Sequence, residues 1–556
     1  MWFHSLLNFR RPAPGRRPTR ARPQLEPLEA RNLLSFTNVL VNDPTADLTI
    51  QDTQSETAVV LGSGGSVVVA FNDTGSIGNH DFIGWALSTN GGDSVTDKGA
   101  PPVIPPQVGT FDPVLARSNA TGTIFLANLG GQVTPETGVT QRGINVHRSV
   151  DNGATFSAPV NGAPGLDVNV DVPDKDWMAV DNFPGPGQGN VYLVWRNYSV
   201  PSLVPQPNRD RDAIVLTRST DDGLTWGSDG GTVIDPSGSR GATANQLAFV
   251  TVGPDHAVYV FWWQFHKKFG HDPELVVRKS TDQGVTFGDT VTVAGLRVTS
   301  FLGDLGLTDS DGNEFGSDCT FQAAANPVTG DLYVVFHDKA NGSADRGDIF
   351  FVQSTDGGDH WSKPLRVNDD ATDNDQWTPA LAVTPDGSHL GVFWYDRRLD
   401  PANNLIDRFG AIGTVSGHAV TFGANFRVTD VSFPPAIGPI RPDYMGDYDM
   451  AAADNDFFYT TWGDNRLGNA FHANQADVRL AKVPLTGMED SGPADRASPF
   501  AAALPAAAPN LGAGAELLGT EPAQPLLAEA VAPGSWQALT PPSFTASAPA
   551  SPASAE

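Results

Sequence analysis

The chain has 556 residues, with 63 Asp and Glu against 35 Lys and Arg and a formal net charge of −28. Such acidity excludes nucleic acid as an expected partner, because the phosphate backbone calls for a basic face. Abundant Gly (58), Pro (44) and Phe (30) with only 18% charged residues suits a turn-rich β protein and not a helical one. The single cysteine, Cys319, rules out an internal disulfide and any multi-cysteine metal site. No apolar run approaches the roughly 18 residues that would span a bilayer, so no transmembrane segment is expected.

In chain order, residues 1–35 come first as a basic segment. Seven arginines stand there against Glu26 and Glu29, prolines interrupt the chain, and no long apolar stretch marks an ordinary secretory signal. Residues 36–485 form the repetitive body. Residues 486–556 are Ala/Pro/Ser-rich and poor in side chains worth burying, so they read as a disordered tail.

Two periodicities run through the body. The first is a polar turn: Ser149-Val-Asp151-Asn-Gly153-Ala-Thr155-Phe156, Ser219-Thr-Asp221-Asp-Gly223-Leu-Thr225-Trp226 and Ser280-Thr-Asp282-Gln-Gly284-Val-Thr286-Phe287. Weaker copies are Ser354-Thr-Asp356-Gly-Gly358-Asp-His-Trp361 and Ser88-Thr-Asn90-Gly-Gly92-Asp-Ser94-Val95. Ser and Asp side chains can bond turn amides, Gly takes positive φ, and the aromatic is expected to pack back under the loop. The second periodicity is a Val/Tyr/Phe/Trp-rich strand ending in a polar residue. It occurs seven times, at Val67–Asp73, Ile124–Asn128, Val191–Arg196, Val258–Gln264, Leu332–Asp338, Leu390–Asp396 and Phe458–Asp464. Runs so continuously apolar suit strands buried on both faces. Each unit therefore reads as four antiparallel strands, and their radial repetition predicts an all-β propeller of seven blades, with six as the alternative. The seventh unit lacks a fourth strand of its own. Residues 37–43 share the ending of Leu365–Asp369 and are predicted to complete the last blade.

The turn motif resembles the Asp-box (BNR) repeat of sialidase-like propellers, and residues 36–485 resemble that superfamily. The segment Leu25-Glu-Pro-Leu-Glu-Ala-Arg-Asn-Leu-Leu-Ser35 resembles the LEPR-x-LL-S sorting segment of exported planctomycete proteins, which implies a secreted or cell-surface bacterial protein. In the superfamily the boxes are structural and lie away from the active face. That assigns Ser149, Asp151, Gly153, Ser219, Asp221, Gly223, Ser280, Asp282, Gly284, Ser354, Asp356 and Gly358 to turn-making. Strand direction places the ends of the aromatic strands and the residues before each first strand at the opposite mouth. Asp73, Arg196, Gln264, Asp338, Asp396, Arg397, Asp464 and Arg466 fall there, with Asp112, Asp176, Gln322, Trp377, Asp447 and Tyr448.

Sialidase chemistry implies an arginine triad, for which Arg196, Arg397 and Arg466 are the candidates. It also implies a tyrosine nucleophile (Tyr448 or Tyr444) and an acid/base (Asp447, Asp176 or Asp112). Asp338, Asp396, Trp377 and Asp464 are the candidate substrate-binding residues. The first-arginine motif of true sialidases is missing, since Glu56-Thr-Ala-Val-Val-Leu-Gly62 stands in its place, and seven units differ from the sialidases' six. The expected function is binding or hydrolysis of carbohydrate, acidic sugars included, with a non-catalytic glycan-binding, protein-binding or structural propeller as the alternative. The expected partner is a carbohydrate or glycoprotein, and the chain is expected to be a monomer. No cofactor is required. Calcium is a candidate ligand of Asp309, Asp311 and Asp318, and of the run Asp369, Asp370, Asp373 and Asp375.

Overall fold

A computed structural model describes residues 36–485, apart from 48–53, 75–81, 106, 135–137, 167–170, 200–212, 228–230, 237–242, 267–271, 299–303, 319, 340–344, 436–444 and 469–473. The expectations for residues 1–35 and 486–556, Cys319 and Tyr444 lie outside the described residues. The body is all-β and builds seven sheets of four or five strands, with one short 3-10 turn at Pro44–Ala46. No described helix is long and apolar enough to cross a membrane.

Each blade runs outward in chain order, as in blade 3: Asp171–Val180, Val191–Ser199, Ala213–Ser219, then Thr232–Asp235. The second strand carries most of the core. Trp195, Trp262, Trp263, Trp394 and Trp462 are all fully buried, because a strand between two others in a stacked blade meets apolar neighbours on both faces.

Blade 7 breaks the order, as predicted. Its three strands Ala451–Ala453, Phe457–Leu467 and Gln475–Pro484 are completed by Val39–Leu40, which pairs antiparallel with the third (Val39 opposite Leu480, Leu40 opposite Arg479). Val41 is buried, and its N–H donates to Val478 O at 2.9 Å. Asn42 donates to Asp477 Oδ1 at 2.9 Å and accepts from Val478 N at 2.8 Å. Asp47 joins the first and last blades, accepting from Gln54 and Gln475.

The Ser-x-Asp-x-Gly turns follow one hydrogen-bond plan. Ser149 Oγ donates to Asp151 Oδ1 (2.7 Å) and accepts from Gly153 N (2.8 Å). Asp151 also accepts from Thr155 N and Thr155 Oγ1. The pattern recurs at Ser219, Ser280 and Ser354, and at Ser88 with Asn90 replacing Asp. The aromatic turns back under its loop as expected at Trp361, whose Nε1 donates to Gly358 O at 3.2 Å, and it also reaches the preceding blade. Phe156 packs edge-on to Trp85 of the preceding blade, and Trp361 to Phe261. Each turn glycine likewise faces the preceding blade, so these turns are inter-blade wedges. At Gly153 φ is +84°, and an added Cβ would lie 2.2 Å from Val68 Cγ2. Gly153→Ala should therefore cost about 3 kcal/mol through left-handed strain plus overpacking. Gly64→Ala, at φ +66° with nothing within 4 Å, should cost only the strain. Equal denaturant midpoints for the two variants would refute the wedge.

Candidate functional site

The strand register gathers one face. First-strand starts pair with second-strand ends (Gln54 with Asp73, Asp174 with Arg196, Asn245 with Gln264, Gln376 with Asp396), while the Ser-x-Asp-x-Gly turns close the other end. At the mouth, four first strands carry a two-residue bulge, between Ser55 and Ala58, Asp174 and Trp177, Gln246 and Phe249, and Trp377 and Ala380. The leading bulge residues Glu56, Lys175, Leu247 and Thr378 take φ of +48° to +57°, and Asp112 ahead of blade 2's first strand takes +61°. Positive φ is costly for residues with a Cβ and collects where a fold re-aims side chains.

Three of these residues meet in one cluster spanning blades 7, 1, 2 and 3. Glu56 accepts from Asp447 N (3.1 Å) and Asn72 Nδ2 (2.8 Å). Asn72 Oδ1 accepts from Asp112 N (3.1 Å), and Asp112 Oδ2 from Lys175 N (3.0 Å). Lys175 Nζ lies 3.0 Å from the centroid of the Tyr448 ring and 5.2 Å from that of Trp177. Tyr448 donates its hydroxyl to Pro113 O at 2.8 Å, and Arg196 donates to Asp174 at 3.2 Å. Glu56 and Asp176 are fully buried, and Asp112, Lys175 and Tyr448 nearly so. Lys175 Nζ and both carboxylate oxygens of Asp176 have no hydrogen-bond partner among the described residues, while the Asp112 carboxyl is hydrogen-bonded to Glu56.

This burial alters protonation. Desolvation, opposed by Lys175 and reinforced by Glu56 and Asp174, pushes the Asp176 carboxyl up to about 8. Asp112 is driven well above the ordinary carboxylate range by desolvation and then by Glu56. Tyr448 is likewise raised, by burial and the surrounding carboxylates. Strong perturbation by burial plus specific charges is the physical mark of a functional cluster. Asp112, Asp176, Asp447 and Tyr448 were legible in the sequence as site candidates. Lys175, Glu56 and Asn72 were not, although the charged run Asp174-Lys175-Asp176 inside a first strand was a usable signal.

The other mouth residues are placed differently. Asp396 accepts from Trp394 Nε1 and Arg398, and Arg398 reaches on to Asp369 and Asn425. Asp464 repeats this with Trp462 and Arg466, and Arg466 reaches Asp430 and Asn38. Both sets clip one blade's outer strand to the next, so Arg466, Asp396 and Asp464 are inter-blade staples. Asp338 is spent on the N–H groups of Arg297 and Val298. Arg397 is buried against Phe315 and Trp377 (4.9 and 5.3 Å to the ring centroids), donates to Thr308 O and lies 3.7 Å from Asp375. Thus Arg196, Arg397 and Arg466 each serve separate partners instead of sharing one point. Arg398→Ala should cost about 3 kcal/mol of stability, since it strands the buried Asp396 carboxylate. It should leave ligand recognition unchanged in a binding assay.

For metal, Asp309 accepts from Asp311 N, Asn313 N and Asn313 Nδ2, so its oxygens cap a turn. Asp369 and Asp370 face Arg398 and Arg366, and Asp375 faces Arg346 N and Asn403. Among the described residues no group of three or more His, Cys, Asp or Glu is placed to hold a metal ion.

No protein-family model matches the sequence, and no curated protein matches it. Solved structures are similar at low level. A Dyadobacter fermentans protein of unknown function has 13% identity and a TM-score of 0.40, covering 80% of this chain and 97% of that one. A Penicillium chrysogenum α-L-arabinanase complexed with arabinobiose has 13% identity and a TM-score of 0.40, covering 67% and 97%. A leech intramolecular trans-sialidase has 14% identity and a TM-score of 0.39, covering 79% and 69%. Likeness this distant leaves the chemistry to be read from the site itself.

Proposed function

We propose that this chain is an exported, sialidase-like Asp-box propeller that acts on carbohydrate at its mouth, with Asp176 as the proton donor. One observation carries the reading: a fully buried carboxyl, without hydrogen-bond partners among the described residues, that burial with Glu56 and Asp174 nearby pushes up to about 8. Glycosidic cleavage needs an acid that keeps its proton at working pH and a second carboxylate of different character. Asp176 meets the first requirement, and Glu56 is a second acidic side chain within its electrostatic reach.

A tyrosine nucleophile with an arginine triad is not the chemistry favoured here. The Tyr448 hydroxyl is committed to Pro113 O, its ring lies under Lys175, and the three arginines are separately engaged. A second reading, non-catalytic glycan binding, is favoured by the burial of Asp176, which must be uncovered before it can donate to a substrate. The deciding experiment measures fluorophore release from a panel of aryl glycosides, sialoside included, alongside Asp176→Asn. Turnover that falls above about pH 8 and drops at least a hundredfold in the variant is expected of a general acid. Binding without turnover selects the second reading, and neither binding nor turnover removes both.

A further inference from the structure

The mouth cluster has a charge balance that bears on what it can bind. Glu56, Asp112, Asp176 and Asp447 all bear electrostatically on Tyr448, Lys175 bears on Asp112 and Asp176, and the adjoining Asp174 is paired with Arg196. Three further arginines among the described residues are paired: Arg398 with Asp396 and Asp369, Arg408 with Asp449, and Arg466 with Asp464 and Asp430. Arg397 lies 1% exposed between Phe315 and Trp377. None of these arginines is thus presented to a ligand carboxylate in the bidentate manner that acidic-sugar recognition uses. The cluster instead holds spare acceptors, namely both oxygens of Asp176. A buried acceptor left without a donor carries an uncompensated desolvation penalty, so a ligand that supplies donors removes it. Lys175 is a second unsatisfied group in the same cluster. It is only 4% exposed, sits at positive φ, and its ammonium has only ring faces and no hydrogen-bond acceptor among the described residues.

We infer that the mouth cluster recognises a sugar bearing a free amino group, its ammonium taking the place beside Asp176 where that carboxylate lacks partners. This rests on the second, glycan-binding reading above, because an Asp176 that gives up its proton on binding no longer serves as the acid, and it names that reading's ligand class. An incoming ammonium favours the ionised carboxylate, so binding converts a carboxylic acid to carboxylate and releases the proton to buffer. Glu56, Asp174 and Asp447 add to the attraction, while Lys175 and Arg196 oppose it.

The test is calorimetric titration of the full chain at pH 7 with a glucosamine oligosaccharide, its N-acetylated counterpart and a sialyl oligosaccharide. Two buffers of different ionisation enthalpy are used, neither a primary amine. The expected result is at least tenfold tighter binding of the glucosamine form, with proton release up to about one per site. Both the preference and the release should be lost in Asp176→Asn, and weakened in Asp112→Asn should the first variant fail to fold. Equal affinity for the glucosamine and N-acetylated forms overturns the ammonium inference and leaves the carbohydrate reading standing. Preference for the sialyl form overturns it in favour of an acidic sugar. Binding of none of the three overturns the inference and the carbohydrate reading together.

Discussion

A chain that begins at Asp52 should lose on the order of 5 kcal/mol of stability, whereas one that begins at Phe36 should melt with the full-length protein. The difference lies in the strand that closes the ring. Removing it exposes the pocket of Val41, worth about 2 kcal/mol. It also strands the Asp477 carboxylate and the Val478 N–H, which Asn42 now satisfies, at about 1–3 kcal/mol each. Asn38 is lost too, and with it bonds to Val428 O, Asp430 N and Arg466 that hold blade 7 to blade 6. Blade 7 is left with an open third strand, an edge prone to pair with other chains. Aggregation on heating should accompany the lower midpoint. An Asn42→Ala variant tests the same contact with the strand retained and should cost about 2–3 kcal/mol. Unchanged melting of both variants would mean that the ring holds without this strand.

Asp176→Asn should abolish any turnover and yet stabilise the protein. A carboxyl whose folded value is raised to about 8 contributes stability fully present below its unfolded value near 4. That contribution is lost progressively as pH rises towards 8, because the unfolded chain ionises freely while the fold resists. At pH 7 the penalty is on the order of 4 kcal/mol, from about three units at 1.36 kcal/mol each. The amide cannot ionise, so the variant should show a flatter stability curve between pH 4 and 8 and exceed the native protein most above pH 7. Chemical denaturation at several pH values measures this directly. A variant less stable than the native protein at pH 8 would show that Asp176 is ionised and structurally paired, and would remove it as a proton donor. Stabilisation with loss of turnover is the pattern of a site held against the interest of the fold.

Much of the architecture was legible along the chain, for a physical reason. Turns and strands are local. Ser149, Asp151, Gly153 and Thr155 satisfy one another within seven residues, so their spacing alone announces the turn. The aromatic strands declare their number by repetition, and the likeness of Val39–Asp43 to Leu365–Asp369 sufficed to predict the closure now seen at Val39 and Leu480. The face on which functional residues gather was also readable, since antiparallel strands alternate direction.

Which mouth residues are free to act was not readable. Asp396 and Asp464 look like pocket carboxylates in sequence, but each is held by a tryptophan and an arginine two residues away on either side, and those arginines are aimed at a neighbouring blade. Arg397 differs from Arg398 by one position, and alternation along the chain sends it under Phe315 instead. Glu56, Asp112 and Lys175 come from three blades and converge only because bulges at positive φ re-aim them. Pairing is a property of residues far apart in sequence, such as Glu56 with Asp447. Burial, which sets the protonation of Asp176, depends on every blade packed around it. The composition and repeats determined the ring, and only its closure in three dimensions decided which carboxyls were stapled and which were left without a partner.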